Sequence, residues 1–557
     1  MTWIGGIVSR GNQSEGDLTR RLAVMVEAAC PSDTPPATAY PRYASFITDD
    51  ALGQGLAKVC RRAGGVEHSC TDEARKPSLV YDGHLYGSRR AEVKHSETAD
   101  MMDETAVRPF VDSLSESPGN LEQKVRRALT NLDGDYALAV SDAKHVVISR
   151  NSPGTKPLYW GCNSRLSAFA SNKKPLWKVG LEEVKPLRAG MLAVLDNKGV
   201  SISEGLPIHE KQIAITTMAR AVNAYQRALE PAIENRLALT NCKPKVGVLL
   251  SGGVDSCLIA KLVCEAASSL GIEVIAYTAG MPDSPDVKFA CEFAEELDIT
   301  HKMKPLSRNE VEKCIPKVIQ AIEDSDFVQV ETGIALYAAI DAARQDGTVV
   351  LFSGQGPDEL WGGYSWYPRV LAKDGRQELC QRMWEDFTRA DIETLDRENK
   401  IALAHDAELV FPYLDSGVVD VALSVASDLK VTSGEDCLGK HPHRRLAVKM
   451  GISEKYANRE KAAIQHGTGI HGVLDGIARK NGFDPALVKD IGYNNEEIPT
   501  EKMGSSSRYG YRYIAKELWQ VPRHVQLLFH ALAYRQGLLD KPVRDRVGHF
   551  LERAGLC

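Results

Sequence analysis

Six residues set between an apolar run and a helical one, Ser251-Gly252-Gly253-Val254-Asp255-Ser256, carry the densest chemistry in the chain. KVGVLL (245–250) reads as a buried strand, and CLIAKLVCEAASSL (257–270) reads as the helix that follows at once. Paired glycines let a backbone approach a ligand closely. A helix N-terminus offers free N–H groups and the positive end of a dipole. Ser251 and Ser256 add hydroxyl donors, and Asp255 can hold a metal counter-charge. A bare pair of glycines would read as a tight turn, but the complete strand–turn–helix unit reads as an oxyanion cradle. It lacks the GxxxxGKS/T spacing of a Walker loop, so γ-phosphoryl transfer is not the chemistry it suggests.

A second cluster, LFSGQGPDELWGGY (351–364), again follows a buried strand, TVVLFSG. Gly354 and Gly356 leave room for a nucleotide, and Asp358 and Glu359 supply carboxylates. Two acids from different strand ends, Asp255 and Asp358, suit a Mg²⁺ that bridges pyrophosphate oxygens.

The elements that must position these residues follow from pattern. A chain of 557 residues is too long for one ordinary core, so two or three domains are expected. Up to about residue 207, short alternating segments such as SLVYDG (78–83), DYALAVSD (135–142), HVVISRN (145–151) and GMLAVLDNKG (190–199) predict antiparallel sheets with sparse helices. From 208 the character changes. The spacing of Ile213, Met218, Ala221, Val222, Tyr225, Ala228 and Leu229 predicts a helix from His209 to about Thr240. Buried strands then alternate with helices, near 286–297 and 331–345, which is the mark of a parallel sheet covered on both faces. Further helices are expected near 511–536.

Bulk properties exclude several classes. A net charge of -6 argues against a generally nucleic-acid-binding or membrane-surface protein. No apolar run approaches the ~18–20 residues of a spanning helix, and no secretory signal is visible at the N-terminus. The 12 cysteines include no CxxC, so a zinc site or redox dithiol has little support, and a cytoplasmic setting is expected.

Taken together, SGGVDS (251–256), AGMPDSPD (279–286), SGQGPDELWGGY (353–364), ELVFPYLD (408–415) and REKAAIQHGTG (459–469) resemble the asparagine synthetase family, in that family's order. The first of these resembles the pyrophosphate loop of N-type ATP pyrophosphatases. NLDGDYALAVSD with SRNSPGTKPLYWG (149–161) resembles the family's class II glutamine amidotransferase domain. The resemblance implies an N-terminal αββα sandwich of the Ntn-hydrolase type (1–207). It also implies a C-terminal doubly wound parallel sheet with helical additions (208–557). Leu250, Ser251, Gly252, Gly253, Asp255 and Ser256 would hold ATP phosphates, and Ala279, Ser353 and Gly354 would line the nucleoside. Asp255 and Asp358 would bind Mg²⁺. Lys461 would contact the α-phosphate and the leaving pyrophosphate, flanked by Arg459 and Gln465. The implied reaction adenylates a carboxylate, by default aspartate, and then forms an amide with ammonia or another amine. A homodimer is implied by family habit.

The sequence departs from that family at four places. Position 2 is Thr2 rather than the N-terminal cysteine nucleophile of glutamine-using members. Threonine can act as an N-terminal nucleophile, so this alone leaves the role open. The oxyanion-hole asparagine corresponds to Asp82 in Asp82-Gly83-His84, and an ionised carboxylate cannot donate to an oxyanion. Arg42 is a weak stand-in for the family's glutamine-binding arginine. The N-terminal domain is therefore expected to be folded but inactive as a glutaminase, with ammonia free or delivered by a partner. Gln355 replaces the family glutamate thought to assist the incoming ammonia, which leaves Glu408 and Tyr364 as candidate substitutes. Beta-lactam synthetases also lack that glutamate, and they close a ring with the substrate's own amine. A ligase for another carboxylate and a nucleotide-binding, non-catalytic scaffold are the competing readings.

Overall fold

A computed structural model describes residues 2–10, 17–29, 43–49, 54–60, 78–87, 99–142, 144–238, 240, 244–460, 464–494 and 521–556. Two units emerge, Met1–His209 and Glu210–Cys557.

In the first unit the strands are β1 (Thr2–Ser9), β2 (Tyr43–Asp49), β3 (Gln54–Cys60), β4 (Ser78–Gly87), β5 (Asp133–Ser141) and β6 (Val146–Arg150). They are followed by β7 (Tyr159–Cys162), β8 (Leu166–Ala170), β9 (Lys185–Pro186), β10 (Met191–Asp196) and β11 (Gly199–Glu204). One sheet runs β2-β3-β1-β8-β7-β9 and the other β11-β10-β6-β5-β4. β5 shows why two sheets stack. Both of its faces are apolar, so neither can meet water. Tyr136, Leu138 and Val140 pack with Phe110, Leu114, Val125 and Leu129 from the helices Ala99–Glu116 and Leu121–Leu129. Ala137 and Ala139 face the opposite way, into a core shared with Ile4, Val8, Leu56 and Phe169 of the other sheet. The helix Asp17–Ala29 covers that second sheet through Leu18, Leu22 and Met25, spaced one helical turn apart. The result is an αββα sandwich.

The second unit is built on β12 (Lys245–Leu249), β13 (Glu273–Gly280), β14 (Thr300–Pro305), β15 (Val350–Phe352) and β16 (Glu408–Val410). All four neighbouring pairs are parallel, in the order β14-β13-β12-β15-β16. The chain winds outward from β12 to β14, then returns to β15 and β16 on the other side. Order reverses between β12 and β15, where open parallel sheets leave a crevice at the carboxyl ends of the strands.

The helix expected from His209 begins instead at Met218 and runs to Ala238. Ile213 is exposed, and the segment before the helix is extended. Ala214 and Ile215 donate to the Ser424 carbonyl, and Ala426 donates back to Ile215. A bridging partner thus takes residues whose spacing alone looked helical. The helix expected over 331–345 starts earlier, at Phe327, because the Asp326 carboxylate accepts from Val328 and Gln329 and caps it. Of the helices expected near 511–536, Arg523–Gln536 is present, and 511–520 lies outside the described residues.

That last helix is held by an amide–imidazole lock. Gln526 accepts from Phe327 N–H, and its amide nitrogen lies 2.6 Å from the Ser325 carbonyl and 3.1 Å from His530 Nε2. The imidazole must accept there, so its proton sits on Nδ1 and points to Ser325 Oγ at 2.8 Å. Burial pushes His530 down to about 4 from an ordinary value of 6.5. An unfolded chain therefore binds this proton more readily. The contribution to stability is complete above pH 6.5 and is lost as pH falls toward about 4. Replacing His530→Asn should lower the thermal midpoint at pH 7.5, with the gap to wild type narrowing by pH 5. A gap that is constant with pH would remove the imidazole from the account.

Candidate active site

The loop after β12 folds onto itself before its helix starts. Ser256 Oγ donates to the Gly253 carbonyl at 3.0 Å and accepts from Ser251 N–H at 3.1 Å. Gly253 is the N-cap of the helix Val254–Leu270. Leu250 is buried between β12 and β13, where its carbonyl accepts from Thr278 Oγ1 at 2.6 Å. The loop after β15 lies against this turn: a Cβ at Gly354 would stand 3.1 Å from Ser256 N and 3.1 Å from Asp255 C. Ala279, Ser353 and Gly354 therefore leave neighbouring strands at the same edge as Ser251–Ser256. Six of the expected phosphate residues and three of the expected nucleoside residues converge on one crevice.

Asp255 and Asp358 meet there on a residue the sequence reading missed. Lys440 Nζ lies 2.7 Å from Asp255 Oδ2 and 2.7 Å from Asp358 Oδ1, with 1% of its side chain exposed. Asp255 Oδ1 lies 3.1 Å from His443 Nε2, and Tyr225 OH is 2.9 Å from His443 Nδ1. Burial pushes His443 down, while Asp255 beside it pulls the other way. With a carboxylate facing Nε2, the proton belongs there, and in the neutral ring Nδ1 accepts from tyrosine. The Asp436 carboxylate accepts from Leu438 and Gly439 N–H, while Arg444 donates to the Leu438, Gly439, Ala457 and Arg459 carbonyls. One guanidinium thus ties the Lys440 turn to the segment leading toward Lys461.

Arg459 reaches the Ser251–Ser256 turn. Its Nη2 donates to Asp286 Oδ1 at 2.6 Å, its Nη1 donates to the Ser251 carbonyl at 3.2 Å, and its plane lies 4.2 Å over Phe289. Lys461 and the side chain of Gln465 lie outside the described residues.

The two candidates for proton handling lie in different places. Glu408 opens β16 opposite Val350, at the start of strands whose far ends carry the site. Tyr364 OH donates to Glu359 Oε1 at 2.5 Å and its ring stacks on Trp366. Burial, with Asp358 alongside, raises Glu359 to about 8. The carboxylate beside Gln355 is Glu398: its Oε1 accepts from Gln355 Nε2 at 2.5 Å and its Oε2 from Ser353 Oγ at 3.2 Å. Glu398 sits in DRENK, a charged stretch that reads as surface, yet it is buried. Lys440 and His443 sit in GKHPHRR and mislead in the same way. The available signal was Asp436 three residues before Gly439, an Asx-turn spacing.

Mg²⁺ fits the donor set, since two carboxylates from adjacent strand ends stand beside a phosphate-type turn. Among the described residues no cluster of three or more His, Cys, Asp or Glu could hold a metal by itself. Such an ion would thus rely on ligand oxygens as well.

In the first unit, Thr2 opens β1 opposite Cys60. Asp82 is buried on β4 beside Ala137. The side chain of Thr2 and all of Arg42 lie outside the described residues.

Comparison with known proteins places these features. The family described as asparagine synthase matches residues 224–379 and 371–530, and that described as glutamine amidotransferase domain matches 60–178. A putative glutamine-hydrolyzing asparagine synthetase of Methanocaldococcus jannaschii is 31% identical over 414 residues, 65% of this chain and 74% of that protein. A probable one from Dictyostelium discoideum is 25% identical over 411 residues, 67% and 70% of the two chains. The human glutamine-hydrolyzing asparagine synthetase is 24% identical over 382 residues, 63% and 65%.

The Lys440 bridge depends on Gly363. A Cβ there would stand 1.9 Å from Lys440 Cε and 2.2 Å from Asp358 Oδ1, whereas one at Gly472 meets nothing within 4 Å. Gly363→Ala should destabilise the protein by about 1–3 kcal/mol in denaturant unfolding, with Gly472→Ala near wild type. Equal effects would show that the bridge tolerates displacement.

Proposed function

The chain belongs to the asparagine synthase family and is an ATP-dependent carbon–nitrogen ligase; from that premise we propose that it makes asparagine from aspartate and free ammonia. The observation that carries the proposal is the convergence of the SGGVDS turn and the 353–364 loop at the switch point between β12 and β15. A ligand seated there meets the N–H groups and dipole of the helix Val254–Leu270.

In the first half-reaction the aspartate side-chain carboxylate attacks the α-phosphorus of ATP. The bond to the bridging oxygen breaks, pyrophosphate leaves, and an acyl-adenylate forms. Donors of the turn offset charge on the phosphates, and Lys461 would neutralise the leaving group. Asp255 and Asp358 would hold Mg²⁺, which when bound offsets pyrophosphate charge. In the second half-reaction ammonia attacks the acyl carbon, AMP leaves, and a proton is lost. Gln355 is suited to neutral ammonia. Because a carboxylate only accepts, Glu398 fixes the amide with Nε2 inward and leaves Oε1 to accept an N–H.

We infer that nitrogen does not come from this chain's own hydrolysis of glutamine. Thr2 in place of cysteine and a buried Asp82 at the oxyanion position support this, since negative charge there opposes the transition state. Delivery of ammonia by a partner and assembly as a homodimer belong to the same reading. The seven cysteines whose side chains are described are free, which suits a cytoplasmic setting, and no described helix is long and apolar enough to cross a membrane. Ring closure and a non-catalytic scaffold are not favoured by the family match.

The test is mass spectrometry of one reaction with ATP, Mg²⁺, aspartate, ¹⁵N-ammonium and unlabelled glutamine, run beside Thr2→Ala. Labelled asparagine with AMP, unchanged in the variant, is the expected result. Unlabelled asparagine that disappears in Thr2→Ala would make Thr2 a working nucleophile. No asparagine would move the acceptor to another carboxylate. Separately, Glu398→Gln, whose own amide can turn either way, should raise the KM for ammonia about tenfold, the worth of one charge-assisted hydrogen bond. Aspartate-dependent pyrophosphate release should stay close to wild type. Loss of both would make Glu398 a general structural support.

A further inference from the structure

Lys440 is placed with unusual care for a residue with no assigned role. Its backbone is left-handed at φ 54, and Gly439 before it is left-handed at φ 55. A side chain with a Cβ adopts that region at a cost, and such strain persists only where its surroundings enforce it. The enforcement is visible in the Asp436 and Arg444 bonds to the turn, and in Gly363, which leaves space for the lysine stem. The ammonium ends midway between two acids from different strands, 2.7 Å from each. That is the locus a divalent cation would need.

We propose that Lys440 is a resident counter-ion that keeps Asp255 and Asp358 together in the free enzyme and excludes a free divalent cation until nucleotide arrives. The inference rests on reading those two aspartates as the Mg²⁺ pair. An ammonium and a divalent ion beside two carboxylates bring three positive charges against two negative ones at close range. A triphosphate reverses that imbalance and gives the ammonium a second anionic partner, so both cations are held only with nucleotide bound. Lys440 is a positioning residue here, acting through the carboxylates it holds. Metal and nucleotide are thereby required together, and the carboxylates stay in register between turnovers.

Electron paramagnetic resonance of Mn²⁺ tests this without turnover, using α,β-methylene-ATP, whose α–β linkage resists cleavage. Wild type should bind Mn²⁺ at this site only with the nucleotide. Lys440→Met should bind it without nucleotide, about tenfold or more tightly than wild type does, and adding Asp358→Asn should abolish that gain. Lys440→Gln is read in parallel, with circular dichroism as the folding check. Nucleotide-free binding in wild type as tight as in the variants overturns the proposal with no variant needing to fold well. If neither variant gains Mn²⁺ while Asp358→Asn weakens the nucleotide-dependent ion, the metal reading stands and the role of Lys440 falls. If Asp358→Asn leaves the nucleotide-dependent ion untouched, the metal reading itself fails, and the proposal goes with it.

Discussion

Two ionised carboxylates in a mostly dry crevice repel each other unless a cation stands between them or one takes up a proton, and the surroundings of Asp255 and Asp358 follow from that constraint. Asp255 and Asp358 are brought together by the parallel sheet, which sets the ends of β12 and β15 side by side. Their repulsion in a medium of low polarity would open the crevice. Lys440 removes it, and the lysine in turn needs a left-handed turn, a glycine at 363 and a guanidinium strap from Arg444. Removing one member of such a group leaves an uncompensated charge in the interior, so these features stand or fall together.

Much of this architecture was legible in the sequence because it rests on local rules. Continuous apolar strands followed by helices fixed the parallel sheet, and SGGVDS announced its turn by glycine geometry and helix entry. Alternation in the first 200 residues signalled antiparallel sheets, and their stacking into a sandwich followed from β5, whose two apolar faces each need a cover. What stayed hidden depends on tertiary placement. Residues 209–217 have helical spacing, but pairing with Ser424–Ala426 claims their backbone. Glu398 and Lys440 sit in charged stretches that ordinarily face water. Only packing turned them inward, each onto a partner more than forty residues away.

Glu408 illustrates the same limit from the other side. ELVFPYLD resembles the family in order and composition, which made its acid a natural candidate. Parallel register adds what the string lacks: Glu408 pairs with Val350 at the entry of the strand, whereas Ser353 and Gln355 leave from its exit. Direction along a parallel strand separates structural from chemical positions, and a motif read as a string carries no such direction.

The nitrogen half of the reaction turns on where negative charge is placed. On the proposed reading Asp82 takes the position of an oxyanion donor in the first unit, where a buried carboxylate would work against an anion that develops nearby. In the second, Gln355 has no charge of its own, and the charge beside it belongs to Glu398, behind the amide and engaged by Ser353 and Gln355. A carboxylate held back in this way orients the amide without confronting the amine directly. An incoming ammonium would find a neutral acceptor instead of an ion-pair partner, which favours the unprotonated nucleophile that can attack an acyl-adenylate. On the proposed reading the exchange at 355 bears on the protonation state of the ammonia that reaches the acyl carbon, and the aspartate at 82 bears on its source.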